Sequence, residues 1–153
     1  MMVFDFNDKE MIMLRGLALE RLRLIQARNA VSRGPSTDQG DIVGIMGEYA
    51  VVKLLRAPVY LWNALWSRDL PDVGDYEVRT RRKYMDFCTV NQSTLDKCHK
   101  KQQFMFCYAD VAHRSCTVAG WAYAYEIQDL AAMSERDNYR LLDPKHLRNV
   151  DDL

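Results

Sequence analysis

The hydrophobic period of the chain changes at Pro58, and this change constrains the fold more than any other feature. Before it, apolar residues recur at intervals of three and four from Met11 to Ile25, which predicts helix. After it, short runs of aromatic and β-branched residues predict strands. The order of elements therefore predicts an α/β (α+β) fold, with a mixed central β-sheet flanked by helices.

The part before Pro58 is expected to hold two helices. Asn7, with Glu10 three residues later, has the pattern of a helix N-cap and its partner, so an N-terminal helix is predicted over 7–30. Its basic residues are expected on a solvated side, namely Arg15, Arg21, Arg23 and Arg28. A second helix is predicted to begin at Asp41 and to end near Leu55.

The part after Pro58 is expected to hold several strands and little helix. The predicted strands are 59–62, 76–80, 84–90, 104–109, 116–125 and an edge strand at 139–142. A short helix is expected at 126–133, with helical turns within 91–101 and 144–147. Composition predicts a loop at 32–40 and a turn region at 67–74.

Length and charge limit the class of protein. A chain of 153 residues is about the size of one domain, so a single domain over 1–153 is expected. The 21 basic and 21 acidic residues balance, which argues against a protein that coats nucleic acid indiscriminately. Without a signal-peptide pattern, an apolar run of transmembrane length or a CxxC pair, the sequence predicts a reduced, cytoplasmic protein that does not associate with membranes. A zinc site from Cys98, His99, Cys107 and His113 is conceivable, but its spacing fits no common zinc motif.

The segment 71–79 concentrates charge in a short turn and strand. Because side chains alternate along a strand, Asp75, Glu77 and Arg79 are expected to point to one face. A face with two acids and a base is a poor core face, and it suits a divalent metal with a fixed positive charge beside it. The other interpretation is a solvated edge strand, since edge strands often carry charge.

Glu48 is expected at the border of the apolar stripe of the second helix. An ionised carboxylate there is costly unless it is paired or bound to a metal. A salt bridge with an arginine such as Arg79 and a metal role therefore both stay open. Gly44 and Gly47 each weaken the helix by about 1 kcal/mol relative to alanine, which makes sense where a helix approaches another backbone or a ligand closely.

Together these residues form a recognisable set: Glu48 on a helix, the Pro-Asp pair that ends at Asp72, and the Glu-Val-Arg triplet from Glu77 to Arg79. Over about 40–125 the chain resembles the PD-(D/E)xK nuclease superfamily, and it is similar to small nuclease-like proteins of bacteriophages and mobile elements. The resemblance implies a restriction-endonuclease-like fold. It also implies metal-dependent hydrolysis of DNA phosphodiesters, in the cytoplasm of a bacterial host if the protein is phage-encoded.

The resemblance also implies roles for individual residues. Glu48, Asp72 and Glu77, helped by the Val78 carbonyl, would hold Mg²⁺ or Mn²⁺, because hard cations prefer oxygen ligands. The ion would polarise the scissile phosphate and lower the pKa of a bound water. Arg79 would orient that water and offset the charge that builds on the phosphate.

Two features depart from the family pattern. Arg79 stands where the family usually has lysine, and arginine cannot deprotonate to act as a base. Asp72 and Glu77 are also unusually close in sequence, which requires a tight turn that Gly74 would permit. Asp75 is therefore a second candidate ligand: the preceding proline favours Asp72, whereas the shared strand face favours Asp75.

Basic residues beside this segment are candidates for contact with the DNA backbone. Arg81, Arg82 and Lys83 directly follow it, and Lys100 and Lys101 form a second cationic loop. DNA is the expected partner, and a homodimer is left open. The alternative is a catalytically weak or inactive nuclease-fold module that binds nucleic acid or a protein partner. A further alternative is a small interaction protein with the acidic face as its contact surface.

Overall fold

The computed structural model describes residues 1–28, 38–65, 70–82, 87–134 and 138–153. Its helices are α1 (Asp8–Arg28), α2 (Asp38–Leu55), α3 (Gln92–Lys97) and α4 (Ala124–Leu130). Its strands are β1 (Met2–Asp5), β2 (Tyr76–Arg82), β3 (Cys88–Asn91), β4 (Gln103–Asp110), β5 (Ser115–Tyr123), β6 (Ala132–Met133) and β7 (Tyr139–Leu142). The predicted α+β class is confirmed, with a mixed sheet flanked by helices.

The strands form two sheets. Sheet A has four strands in the order β1-β5-β4-β2, in which β2 runs parallel to β4 and the other pairs are antiparallel. Sheet B has three antiparallel strands in the order β3-β7-β6. Because β2 lies at the edge of sheet A, the segment that carries the candidate site borders the sheet on one side only.

Strand β4 is buried on both faces, so it separates two hydrophobic cores. Met105 and Cys107 belong to a core shared with α1 and α2. Phe104 and Phe106 belong to a second core shared with sheet B, α3 and α4. Sheet A is therefore the middle layer, with the two long helices on one face and the smaller elements on the other.

The N-terminal cap of α1 is confirmed, because Asn7 and Glu10 exchange hydrogen bonds of 3.1 and 2.9 Å between backbone amides and side chains. The basic side of α1 is only partly solvated. Arg15 and Arg23 are exposed, but Arg21 is 1% exposed, so its predicted solvation was wrong. It lies seven residues after buried Leu14 and thus on the buried stripe of the helix.

Helix α2 begins at Asp38, three residues before the predicted cap at Asp41. It ends at Leu55 as predicted. The stop comes before Pro58, since Arg56 already has a left-handed backbone with φ of 50°.

Gly47 of α2 lies against sheet A, and Gly44 does not. A Cβ atom on Gly47 would lie 1.7 Å from the hydroxyl oxygen of Thr80 on β2, whereas a Cβ on Gly44 would have nothing within 4 Å. The expectation of a close approach is therefore confirmed for Gly47. The close approach fixes the height of α2 above β2.

Several assignments after Pro58 differ from prediction. The 59–62 segment is a 3-10 turn (Val59–Leu61) and not a strand, because Leu61 and Trp62 donate backwards to Pro58 and Val59. Strand β7 is central in sheet B and not at its edge. Helix α4 begins at Ala124, two residues earlier than predicted, so the predicted 116–125 strand ends at Tyr123. The helix also ends at Leu130, and Ala132–Met133, predicted as helix, forms strand β6.

Some predicted features fall outside the described residues. They are the end of the first helix at 29–30, most of the 32–40 loop, part of the 67–74 turn and the first residues of the 84–90 strand. Within the described ranges, no helix has the length and apolar character needed to cross a lipid bilayer.

Candidate functional site

A tight turn brings Asp72 back against the edge of sheet A. Val73 and Tyr76 exchange backbone hydrogen bonds of 3.1 and 2.9 Å, and Gly74 between them has a φ of 55°. Only glycine adopts such a backbone without strain, which confirms the predicted need for it. As a result, Asp72 Oδ2 accepts a 2.8 Å hydrogen bond from the backbone amide of Val78 on β2.

The guanidinium of Arg79 lies where three oxygens converge. Its Nη1 atom is 3.7 Å from Asp72 Oδ2 and 3.4 Å from Glu77 Oε2. The same nitrogen donates a 3.0 Å hydrogen bond to the Val78 carbonyl. These oxygens are three of the four that the resemblance assigns to the metal ion. Arg79 Cζ is also 5.5 Å from the centroid of the Phe104 ring, which further stabilises its charge.

The pKa of Glu77 is raised in this site. Burial raises the pKa of Glu77, the negative charge of Asp72 raises it further, and Arg79 opposes both effects. Two adjacent carboxylates stabilise a cation that lies beside both of them, and here that cation is Arg79.

Glu48 is engaged elsewhere. It is 4% exposed, and its carboxylate accepts from both terminal nitrogens of Arg21, with 2.9 Å between Nη1 and Oε1. The Trp62 indole donates to it at 2.8 Å. Burial raises the pKa of Glu48 to about 7 against the opposing effect of Arg21, and the charge of Asp72 contributes to the increase.

Glu48 and Glu77 are separated by the edge of sheet A. Glu48 is on α2, which packs on the face where Val78 points. Glu77 and Arg79 alternate with Val78 and so point to the opposite face. Among the described residues, no three His, Cys, Asp or Glu side chains are grouped closely enough to hold a metal ion. The structure therefore brings Asp72, Glu77 and Arg79 together, and Glu48 is not part of that group.

The partner of Glu48 could have been found in part from the sequence. The expected salt bridge with an arginine exists, but it is formed by Arg21 and not by Arg79. Arg21 lies three residues after Ala18 and seven after Leu14, which are both buried. That spacing places an arginine on the face of α1 that packs against α2.

Asp75 lies at the tip of the turn and is exposed. Its backbone carbonyl accepts a 2.7 Å hydrogen bond from the Gln102 side chain, which ties the turn to the loop before β4. Of the two candidate aspartates, the structure places Asp72 beside Glu77.

The second cationic loop lies at the same end of sheet A as the carboxylates. Strands β2 and β4 are parallel, with Tyr76 opposite Gln103, so Lys100 and Lys101 are close to the turn that carries Asp72. Both lysines are exposed. They are therefore available to a phosphate backbone that reaches the carboxylate pair.

The first cationic group lies further along β2. Arg82 is exposed, and Arg81 donates a 3.0 Å hydrogen bond to the Phe87 carbonyl. At about 3.3 Å per residue, these arginines are roughly 13–17 Å beyond Glu77. Lys83 lies outside the described residues. The described basic residues thus lie on both sides of the carboxylate pair along the strand direction.

No protein-family model, curated protein or solved structure matches the chain. The nuclease activity, the Mg²⁺ or Mn²⁺ cofactor and the DNA partner accordingly stay predictions. What supports them is the geometry of the carboxylate pair and its surroundings.

Proposed function

We propose that the protein is a metal-dependent DNA nuclease of the PD-(D/E)xK type, with sheet A as a restriction-endonuclease-like sheet. The observation that carries the proposal is the convergence of Asp72, Glu77 and the Val78 carbonyl on one cationic nitrogen of Arg79. The packing of an apolar core does not require three oxygens to converge on one point. This convergence stabilises positive charge at a single point beside the edge of sheet A.

The residues at this point fit a small divalent cation. Mg²⁺ usually keeps several waters and takes one or two carboxylates from the protein, so Asp72 and Glu77 suffice without Glu48. The Val78 carbonyl is a further oxygen ligand of the same kind. A bound Mg²⁺ or Mn²⁺ would supply Lewis-acid polarisation of the phosphate and a more acidic water.

The protein's own groups account for binding and charge stabilisation. Arg79, partly exposed at the sheet edge, is within reach of a phosphate in the site and offers it a planar pair of N–H donors. It cannot accept a proton, so it acts by charge and orientation alone. Lys100, Lys101 and Arg82 bind neighbouring phosphates and hold the strand without reading its sequence.

The test is cleavage of supercoiled plasmid DNA with and without Mg²⁺ or Mn²⁺. Glu77→Gln is expected to lower the rate by more than about 100-fold, beyond the loss typical of residues that only orient metal ligands. Glu20→Gln, at a partly exposed glutamate on α1, is the matched control and is expected to leave the rate unchanged. Cleavage that persists in EDTA or in the Glu77→Gln variant would refute the mechanism.

A second candidate function is a nuclease-fold module that binds nucleic acid without hydrolysis. The observation that favours it is that arginines already neutralise the acids: Arg79 faces Asp72 and Glu77, and Arg21 is paired with Glu48. This candidate predicts DNA affinity that is the same in Mn²⁺ and in EDTA, with no turnover. Fluorescence anisotropy of labelled DNA in the two buffers distinguishes it from the nuclease.

A further inference from the structure

The 3-10 turn at Val59–Leu61 presents apolar side chains to solvent. Tyr60 is 84% exposed, Val59 is 78% exposed and Leu61 is 43% exposed. Single exposed apolar residues are ordinary, whereas adjacent exposed ones form a contiguous apolar patch of the kind found at contact surfaces. We name these three residues the aromatic tip.

The aromatic tip is joined directly to the turn that carries the carboxylates. The Gly74 amide donates to the Leu61 carbonyl at 2.8 Å, and the Asn63 amide donates to the Asp72 carbonyl at 2.8 Å. Trp62, between them, forms a β-bridge with Val73. Tyr60 therefore directly precedes Leu61, which hydrogen-bonds to the turn that carries Asp72.

The inner side of the same segment is anchored by the buried ion pair. The Trp62 indole donates to Glu48 and its ring stacks on Tyr49, with 5.5 Å between ring centroids. Arg21, which pairs with Glu48, also donates through Nε to the Ala64 carbonyl. A buried ion pair is costly to desolvate, and the one formed here holds the segment that directly follows the tip, through Trp62 and Ala64.

We propose that Tyr60 stacks on an unpaired base of DNA whose backbone lies at the Asp72–Glu77 site. This inference rests on the proposed function, because it takes DNA as the ligand of that site. Exposed cations at both ends of the site, Lys100 and Arg82, match the charge of a nucleic acid strand. A tyrosine ring this exposed offers its face to a base, and in a paired duplex the faces of the bases are already covered. The preferred substrate class is therefore DNA with an unpaired or displaced base near the scissile phosphate.

The test measures binding in EDTA, where no hydrolysis occurs. The probes are a short duplex with one unpaired 2-aminopurine and the same duplex fully paired. Tyr60→Ala is expected to weaken binding to the first probe by about tenfold or more and to abolish the quenching of 2-aminopurine, while binding to the paired probe changes little. Tyr60→Phe is expected to bind like the wild type, because it keeps the ring. Tyr139→Ala, at an exposed tyrosine of sheet B, is the matched control and is expected to change neither probe.

Three results would overturn the inference. The first is equal binding of the unpaired probe by the wild type and by Tyr60→Ala, and the second is an equal loss of binding in Tyr139→Ala. The third is a shift from dimer to monomer in sedimentation of Tyr60→Ala, which would show that a second copy of the protein covers the tip.

The two proposals fail separately. Tyr60-dependent binding without cleavage in Mn²⁺ would refute the nuclease alone, and cleavage with Tyr60-independent binding would refute the stacking alone. A wild type that binds neither probe would refute the stacking, and a wild type that also fails to cleave DNA in Mn²⁺ would refute both.

Discussion

Replacement of Arg21 by methionine should show how strongly the buried ion pair stabilises the protein. Removing one partner of a buried pair costs about 3–5 kcal/mol, because the other group must either stay charged without a partner or take up a proton. The lost hydrogen bond to the Ala64 carbonyl adds about 1 kcal/mol. The expected loss of about 4–6 kcal/mol is a large part of the 5–15 kcal/mol that is typical for unfolding a domain.

The loss should also depend on pH, through Glu48. The folded-state pKa of Glu48 is about 7, which lies above its ordinary value of 4.5. Protonated Glu48 therefore contributes favourably to the free energy of folding. This contribution is complete below about pH 4.5 and is lost as the pH rises towards 7. Without Arg21 this pKa rises further, since burial is then opposed mainly by the Trp62 indole. Near pH 5 Glu48 is largely protonated with or without Arg21, so Arg21→Met should cost less there than near pH 8.

Guanidinium denaturation at both pH values measures these free energies. Arg23→Met, at an exposed arginine of the same helix, is the control and is expected within about 0.5 kcal/mol of the wild type. The double variant Arg21→Met with Glu48→Leu is expected to recover much of the loss, because no unpaired charge remains. A loss below about 1 kcal/mol near pH 8, or the same loss at both pH values, would refute the reasoning.

Three further predictions concern α2 and the carboxylate pair. Gly47→Ala should destabilise the protein by about 1–3 kcal/mol in thermal unfolding because its Cβ would clash with β2, whereas Gly44→Ala should be neutral or stabilising by up to about 1 kcal/mol; equal effects would contradict this. Arg79→Lys should raise Mn²⁺ affinity in calorimetry, because a lysine lacks the planar donor pair that competes for the carboxylates, and an unchanged affinity would contradict this. Asp72→Asn should lower the pKa of Glu77 in an NMR titration because a neighbouring negative charge is removed, and an unchanged pKa would show that the two groups do not interact.

Local signals in the sequence predicted most of the secondary structure. The cap at Asn7 and the apolar periods of α1 and α2 depend on neighbours within a few residues, and they were confirmed. The turn at Gly74 was also confirmed, because a tight hairpin that brings Asp72 back to its own strand needs a positive φ. The Asp72–Glu77 proximity could therefore be predicted, since both residues lie within one hairpin.

Features that depend on distant partners could not be predicted in the same way. The spacing of Arg21 places it on the buried stripe of α1, but the spacing does not show that its partner is Glu48 of α2. The 59–62 segment has strand composition, but it pairs through a single bridge, between Trp62 and Val73. One bridge is too little pairing to form a strand. Glu48 is separated from Glu77 because α2 covers one face of sheet A and Glu77 points to the other. The sequence does not specify which face of the sheet α2 covers.

Arg79 has a thermodynamic consequence for any metal or phosphate that binds beside it. Arg79 is part of the chain and already lies beside Asp72 and Glu77. A metal ion that binds these carboxylates must therefore replace the charge of the guanidinium. A phosphate that draws the guanidinium away makes room for a metal ion, and a metal ion that displaces the guanidinium frees it for a phosphate. By linkage each ligand should then increase the affinity for the other by the same factor. Metal binding measured without DNA should therefore be weaker than metal binding measured with it.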